Sequence, residues 1–204
     1  MNKIAEFTWK LLSTDKFDDV SALAIKTPGK VAKKAAEDCM RDDVLGVREE
    51  GNNRGRWVLE YLKAVFLGAG NPWCQAFVVY RLIKAAHTLI INIPKEFPRT
   101  GSCTVSVKWA QSEGHFIRRA DIELRRTKVQ VGDIAYFWFP NLGRWAHTGI
   151  VVEVNKDGSF VTVEGNTAPS PSSEDVVREG QGVYAKSRTL KSLGVLGGFM
   201  RLPY

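Results

Sequence analysis

Cysteine and histidine are scarce in this chain, with three of each in 204 residues. Cys39, Cys74 and Cys103 are too few, and of odd number, for a disulfide framework. No CxxC, HExxH or clustered Cys/His spacing is present, so a zinc site is not expected, and no acidic run of the kind a calcium loop needs occurs. The chain is read as needing no metal and no cofactor. No apolar run approaches the ~20 residues of a membrane-spanning helix, so no transmembrane segment is expected. Glu6 and Lys10 interrupt the first apolar stretch, which argues against a secretion signal and for synthesis in the cytoplasm. Internal repeats are also missing.

Hydrophobic residues make up 44% and charged residues 25%, the composition of a globular chain with a core of ordinary size. The formal charge is +7, unevenly placed: residues 1–50 carry 9 basic and 10 acidic side chains, residues 51–204 carry 20 and 12. A basic surface attracts anionic polymers such as teichoic acid, lipid headgroups or nucleic acid, although moderate positive charge also occurs on surfaces that bind nothing. No recognised DNA or RNA module is present, so nucleic acid is not expected as a partner.

Hydrophobic spacing changes along the chain. Residues 5–24 are weakly helical in pattern, and 30–45 form an amphipathic helical pattern around Val31, Ala35, Cys39 and Val44. Glu49 to Gly55 is a loop rich in turn formers, and 56–66 return to helical spacing. After the Gly68-Ala69-Gly70 break, Asn71 is expected to cap and Pro72 to open a helix running to residue 88. Residues 90–103 read as an irregular connection and 104–113 as a short helix. From about residue 130 the period becomes that of strands: Ile134 to Phe139, His147 to Val154, Ser159 to Glu164, Gly182 to Arg188 and Gly197 to Leu202. Asn155-Lys156-Asp157-Gly158 is a hairpin turn, and 167–182 a polar, flexible excursion. Helices first and an antiparallel meander second give an α+β class, with N-terminal helices packed on a C-terminal antiparallel sheet.

Three places in this pattern carry chemistry. Cys74, in the first turn of its helix, would have a thiolate favoured by the unpaired N–H groups and the helix dipole, and those N–H groups could also receive an oxyanion. Taken alone it reads more readily as a buried core cysteine beside Trp73 and Phe77, and His147 shifts that balance. His147 opens a strand, where a helix N-terminus could meet it; His87 at a helix end and His115 in a loop have simpler explanations. Glu164 and Asn166 close the returning arm of the hairpin that His147 opens, which makes them cross-strand neighbours able to hold an imidazole N–H. A thiol, a base and a polar orienter make a nucleophile set.

In order and spacing, Asn52-Asn53-Arg54-Gly55, Tyr61-Leu62, Pro72-Trp73-Cys74-Gln75-Ala76-Phe77-Val78, Gly132-Asp133-Ile134, His147-Thr148-Gly149-Ile150-Val151 and Glu164-Gly165-Asn166-Thr167 resemble the CHAP domain. This is the cysteine, histidine-dependent amidohydrolase/peptidase family of the NlpC-like cell-wall hydrolases, and its phage and prophage members are the nearest in flavour. The resemblance covers roughly residues 44–203, and divides the chain into a helical extension, 1–43, and a catalytic domain, 44–204. It implies a papain-like CHAP fold, with Cys74 as nucleophile, His147 as base, Glu164 as orienter and Asn166 assisting at the imidazole or the oxyanion. Trp73, Gln75, Trp145 and Tyr61 are the candidate substrate-binding residues, against the alternative that such aromatics are core.

The implied substrate is bacterial peptidoglycan, with anionic wall polymers as further partners. The reaction is cleavage either between muramic acid and L-alanine or within the stem peptide or cross-bridge. Lacking a secretion signal, such a protein would reach the wall through a phage holin or an injection system. Two rival functions stay open: a cysteine protease or transamidase toxin acting on a protein, and a non-catalytic phage wall-binding or structural module.

Overall fold

The two periodicities of the sequence become two layers. The computed structural model describes residues 27–169, 176–177 and 179–204. The weak helix expected over 5–24 lies outside the described residues, as do 170–175 and 178 of the expected excursion. The helices are α1 (Lys30–Cys39), α2 (Asp42–Leu45), α3 (Arg56–Lys63), α4 (Cys74–Leu89), α5 (Cys103–Ser112) and α6 (Arg119–Glu123). The strands are β1 (Phe116–Arg118), β2 (Ile134–Phe139), β3 (Arg144–Val154), β4 (Phe160–Thr167), β5 (Gly182–Arg188) and β6 (Gly198–Met200). They form one antiparallel sheet in the order β1-β6-β2-β3-β4-β5, and the fold is α+β.

Helix α4 is the centre of the helical layer. Ala76, Phe77, Val78, Val79, Leu82, Ala85 and Ala86 are all buried, so the helix is apolar around most of its girth and is covered by both α1 and the sheet. Helix α1 meets it with Val31, Ala32, Ala35, Ala36 and Cys39, small side chains that allow a close approach. This helix falls within the expected 1–43 extension, yet it packs into the same core as the strands.

Strand β2 reads as an unbroken apolar run because both of its faces are covered. Ile134 and Tyr136 face the helices, whereas Ala135 and Phe137 join a second cluster with Val151, Phe160, Leu193 and Phe199 behind the sheet. Strand β1 and helix α6 have no counterpart in the sequence reading; three and five residues are too short to show a period. Helix α4 also starts later than expected. Trp73 is its N-cap, Cys74 its first residue, and Asn71 instead donates from Nδ2 to the Gly68 carbonyl (3.0 Å). Among the described residues no helix is long and apolar enough to cross a membrane.

A buried ion pair closes the far end of the sheet. Arg201 donates from Nε and Nη2 to the two oxygens of Asp133, both at 2.8 Å, and the Gln130 N–H donates to Oδ2. Both side chains are almost wholly buried. Breaking such a pair leaves a lone buried charge, which costs about 3–5 kcal/mol. Asp133→Asn or Arg201→Met is therefore expected to lower unfolding stability by that order in chemical denaturation. The double variant should recover part of the loss, and additive losses would show that the two groups do not act as a pair.

Candidate active site

Glycines bring the first turn of α4 onto the sheet. A Cβ on Gly165 would lie 2.7 Å from the Trp73 ring and 2.8 Å from Phe77 Cβ, so α4 rests directly on the β4 backbone. Glu164 and Asn166 flank that contact point, which explains the Glu-Gly-Asn order in chemical terms. A Cβ on Gly149 would lie 2.5 Å from Glu164 Cγ, so Gly149 leaves room for the carboxylate beside strand β3. Asn166 sits at a register shift between β4 and β5 with φ 56°, a left-handed conformation that asparagine tolerates better than most residues.

The approach to Cys74 is fixed from the other side. Gly51, Asn52, Asn53 and Gly55 all have positive φ, and the Asn53 carbonyl accepts from the Gly70 N–H at 3.0 Å. Glu49 accepts from Trp73 Nε1 at 3.2 Å. The Asn-Asn-Arg-Gly loop thus anchors the segment that delivers the thiol, and contributes no reacting group.

Four side chains then run in series. Arg188 donates to both oxygens of Glu164, each at 2.8 Å, and the Thr162 hydroxyl donates to Oε1 at 2.6 Å. His147 Nε2 lies 2.8 Å from Glu164 Oε2, and Arg188, Glu164 and His147 have no solvent-exposed side-chain surface. Burial pushes the Glu164 carboxyl up, but His147 and Arg188 outweigh it and hold the group at about 2. Glu164 is therefore a carboxylate that can only accept, and Nε2 of His147 carries the hydrogen. Nδ1 makes no hydrogen bond among the described residues and is left for Cys74, whose charge bears on the ring. Phe137 shields the series, its ring 5.6 Å from that of His147 and 5.2 Å from the Arg188 guanidinium.

The thiol is set well below its ordinary range. The Cys103 side chain is the largest influence as hydrogen-bond partner; burial opposes it, and His147 and the Gln75 N–H add to it. Burial disfavours the charged imidazole, but the hydrogen bonds to Cys74 and Glu164 and their negative charges lift His147 to about 9. Near neutral pH the pair is accordingly thiolate and imidazolium. The first intrahelical bond of α4 runs from Phe77 N–H to the Trp73 carbonyl, so the N–H groups of Cys74, Gln75 and Ala76 have no helical acceptor and form a donor cluster at the thiol.

Of the residues singled out in the sequence, Cys74, His147 and Glu164 lie together, and Asn166 follows two residues after Glu164 on β4. The imidazole is held by Glu164; the Asn166 amide is buried and makes no hydrogen bond among the described residues. Trp73, Gln75 and Tyr61, expected to line a groove, are instead enclosed at 0, 0 and 1% exposure, and present no face to a substrate. Tyr61 and Trp73 pack on each other with centroids 5.7 Å apart. Trp145 is half-buried, edge-on to Trp138 at 4.9 Å and tethered through Nε1 to the Leu196 carbonyl. Arg188, Thr162 and Cys103 were missed. The only signal for Arg188 was a charged residue ending an otherwise half-apolar strand. Among the described residues no group of three His, Cys, Asp or Glu side chains is placed to hold a metal.

The family model of the CHAP domain matches residues 67–166, a span that contains Cys74, Cys103, His147, Glu164 and Asn166 and stops short of Arg188. Neither the curated proteins nor the solved structures contain a match to the chain.

Two outcomes follow from this geometry. Alkylation of Cys74 by iodoacetamide, mapped by mass spectrometry, should be fast well below the ordinary thiol pKa of ~8.5 and should change again as pH rises through about 9, where the imidazolium is lost. A single step at the ordinary thiol pKa would contradict the ion pair. Gly165→Ala should force α4 away from β4, costing ~1–3 kcal/mol in stability, and should slow that alkylation at neutral pH because Cys74 is drawn from His147.

Proposed function

The chain is a CHAP-domain protein of the cysteine/histidine amidase or peptidase class, and on that premise we propose that it hydrolyses an amide bond of bacterial peptidoglycan. What carries the reading is the buried series Arg188, Glu164, His147 ending at a thiol on an open helix N-terminus. In this reading the Cys74 thiolate attacks a stem-peptide carbonyl carbon. The tetrahedral oxyanion forms against the free N–H groups of the α4 first turn, with the unpartnered Asn166 amide as a further donor. The His147 imidazolium gives its Nδ1 proton to the leaving amine, and the neutral ring then takes a proton from the water that hydrolyses the thioester.

Arg188 and Glu164 do not touch substrate; they hold the ring orientation and keep its charge favourable through each step. The half-buried Trp145, two residues before His147, is the aromatic placed to meet the substrate. The net positive charge suits approach to anionic wall polymers. Cleavage falls either between muramic acid and L-alanine or inside the peptide.

The test is mass spectrometry of purified peptidoglycan incubated with the wild type and with Cys74→Ala. Soluble fragments are expected from the wild type, released more than ~1000-fold more slowly by the variant, and their masses identify the bond. Equal release by both would remove Cys74 as nucleophile. Release by neither, from a folded wild type that alkylates as above, would remove peptidoglycan as substrate.

A further inference from the structure

The β2–β3 hairpin, which leads into His147, and the turn before β6 leave apolar side chains in the open. Val195 and Leu196 are 73 and 52% exposed. Trp138 and Trp145 pair across β2 and β3, edge-on with centroids 4.9 Å apart, and both are half-buried. The two rings are held from several sides. Trp145 donates from Nε1 to the Leu196 carbonyl at 2.8 Å, and Phe116 lies edge-on to its ring at 6.2 Å. A Cβ on Gly194 would lie 2.5 Å from the Trp138 carbonyl oxygen, so the turn that carries Val195 and Leu196 rests against that tryptophan. Thr104 of α5 donates to the Trp145 carbonyl at 3.2 Å, two residues before His147. The register pairs Phe137 with His147 and Trp138 with Trp145, which leaves Ala146 as the extra residue of a β-bulge. A bulge re-aims side chains. Here His147 turns to Phe137 and Glu164, while Trp145 packs on the core that holds the helices. Charge around the pair is of one sign. Residues 97–112, 134–150 and 189–204, which supply α5, the hairpin and the turn, contain no Asp or Glu. Arg144 opens β3, is exposed, and its side chain makes no hydrogen bond or ion pair among the described residues.

We propose that Trp138, Trp145 and Arg144 form a subsite for the glycan part of the substrate: an N-acetylated hexosamine lies on the tryptophans, and Arg144 meets a carboxylate of the attached peptide. The subsite rests on the peptidoglycan reading above and adds the sugar to what the site recognises. One face of a pyranose ring is a layer of C–H groups, weakly positive and poorly hydrated, and the face of an indole is weakly negative. Rings already fixed by packing and by the Leu196 carbonyl lose little conformational freedom when a sugar covers them. A neutral sugar alone gives no reason for a rim without carboxylates. An anionic peptide joined to that sugar does, because like charges would repel it and the exposed Arg144 attracts it. The aromatic pair and the cation are one residue apart on β3, so a sugar and its peptide can meet both at once.

Binding reads the subsite without turnover. Two probes are titrated by calorimetry into the full chain carrying Cys74→Ala: a tetrapeptide linked to the disaccharide of N-acetylglucosamine and N-acetylmuramic acid, and the same tetrapeptide without sugar. The sugar-linked probe is expected to bind about tenfold more tightly. Adding Trp138→Ala should bring the two probes to equal affinity, and Trp138→Phe should recover part of the difference. Arg144→Gln should weaken both probes and flatten the loss of affinity from low to high salt. The two probes are compared within each variant, so a misfolded fraction does not alter the ratio. Equal binding of both probes by the Cys74→Ala protein, or a preference that survives Trp138→Ala, would overturn the subsite. So would Trp138-dependent binding to phosphatidylglycerol vesicles, or a Trp138-dependent dimer in sedimentation, without a preference for the sugar-linked probe. A sugar preference in a protein whose wild type cuts neither probe nor peptidoglycan would uphold the subsite and reject hydrolysis. Cutting without a sugar preference would do the reverse.

Discussion

Everything at the catalytic end of this molecule depends on one buried carboxylate. Glu164 is enclosed, and it is ionised only because Arg188 meets both its oxygens, Thr162 donates to one and His147 to the other. A carboxylate without those partners would take up a proton rather than stay charged in the interior. The charge then does two things at once: it fixes which imidazole nitrogen carries hydrogen, and it raises the ring's proton affinity so that the thiol beside it can ionise. Arg188 thus acts on Cys74 at a distance of two intervening side chains, through proton affinities rather than contact.

Such a series requires strands and a helix end to approach more closely than side chains normally allow. Gly165 admits the Trp73 and Phe77 side chains of the α4 start, and Gly149 admits Glu164. The left-handed Asn166 and the register shift beside it turn the strand end so that consecutive residues differ in surroundings: Glu164 supports the base, Gly165 supports the helix, and Asn166 holds a buried amide with no hydrogen bond among the described residues. The two apolar clusters on opposite sides of the sheet keep water from these charges, with Phe137 packed on both His147 and Arg188.

Burial sets the surroundings of Trp73, Gln75 and Tyr61, which are enclosed while Trp145 is half-buried. Trp73 holds the helix start by stacking on Tyr61 and donating to Glu49, and Gln75 points inward. Their position in sequence, next to Cys74, says only that they are close to the chemistry. Whether they face solvent or core depends on the helix phase, and α4 begins at Cys74 rather than at Pro72 as its turn-forming residues suggested.

The sequence by itself determined the class of the fold, the strands with sustained alternation or apolar runs, and the grouping of Cys74, His147 and Glu164. Helical and strand periods are written in which residues are apolar, and a hairpin places its first and last residues side by side whatever surrounds it. Only the tertiary structure decided that Arg188 completes the series, that Cys103 helps to lower the proton affinity of Cys74, and that Asn166 leaves the imidazole to Glu164. Arg188 comes from a strand added on the far side of β4, and Cys103 from a helix that docks on β3, so neither pairing leaves a local pattern. The physical reason is that charge pairing and hydrogen bonding act over a few ångströms of space and are indifferent to the length of chain between the partners, whereas the periodicities that can be read along a chain concern only near neighbours within it.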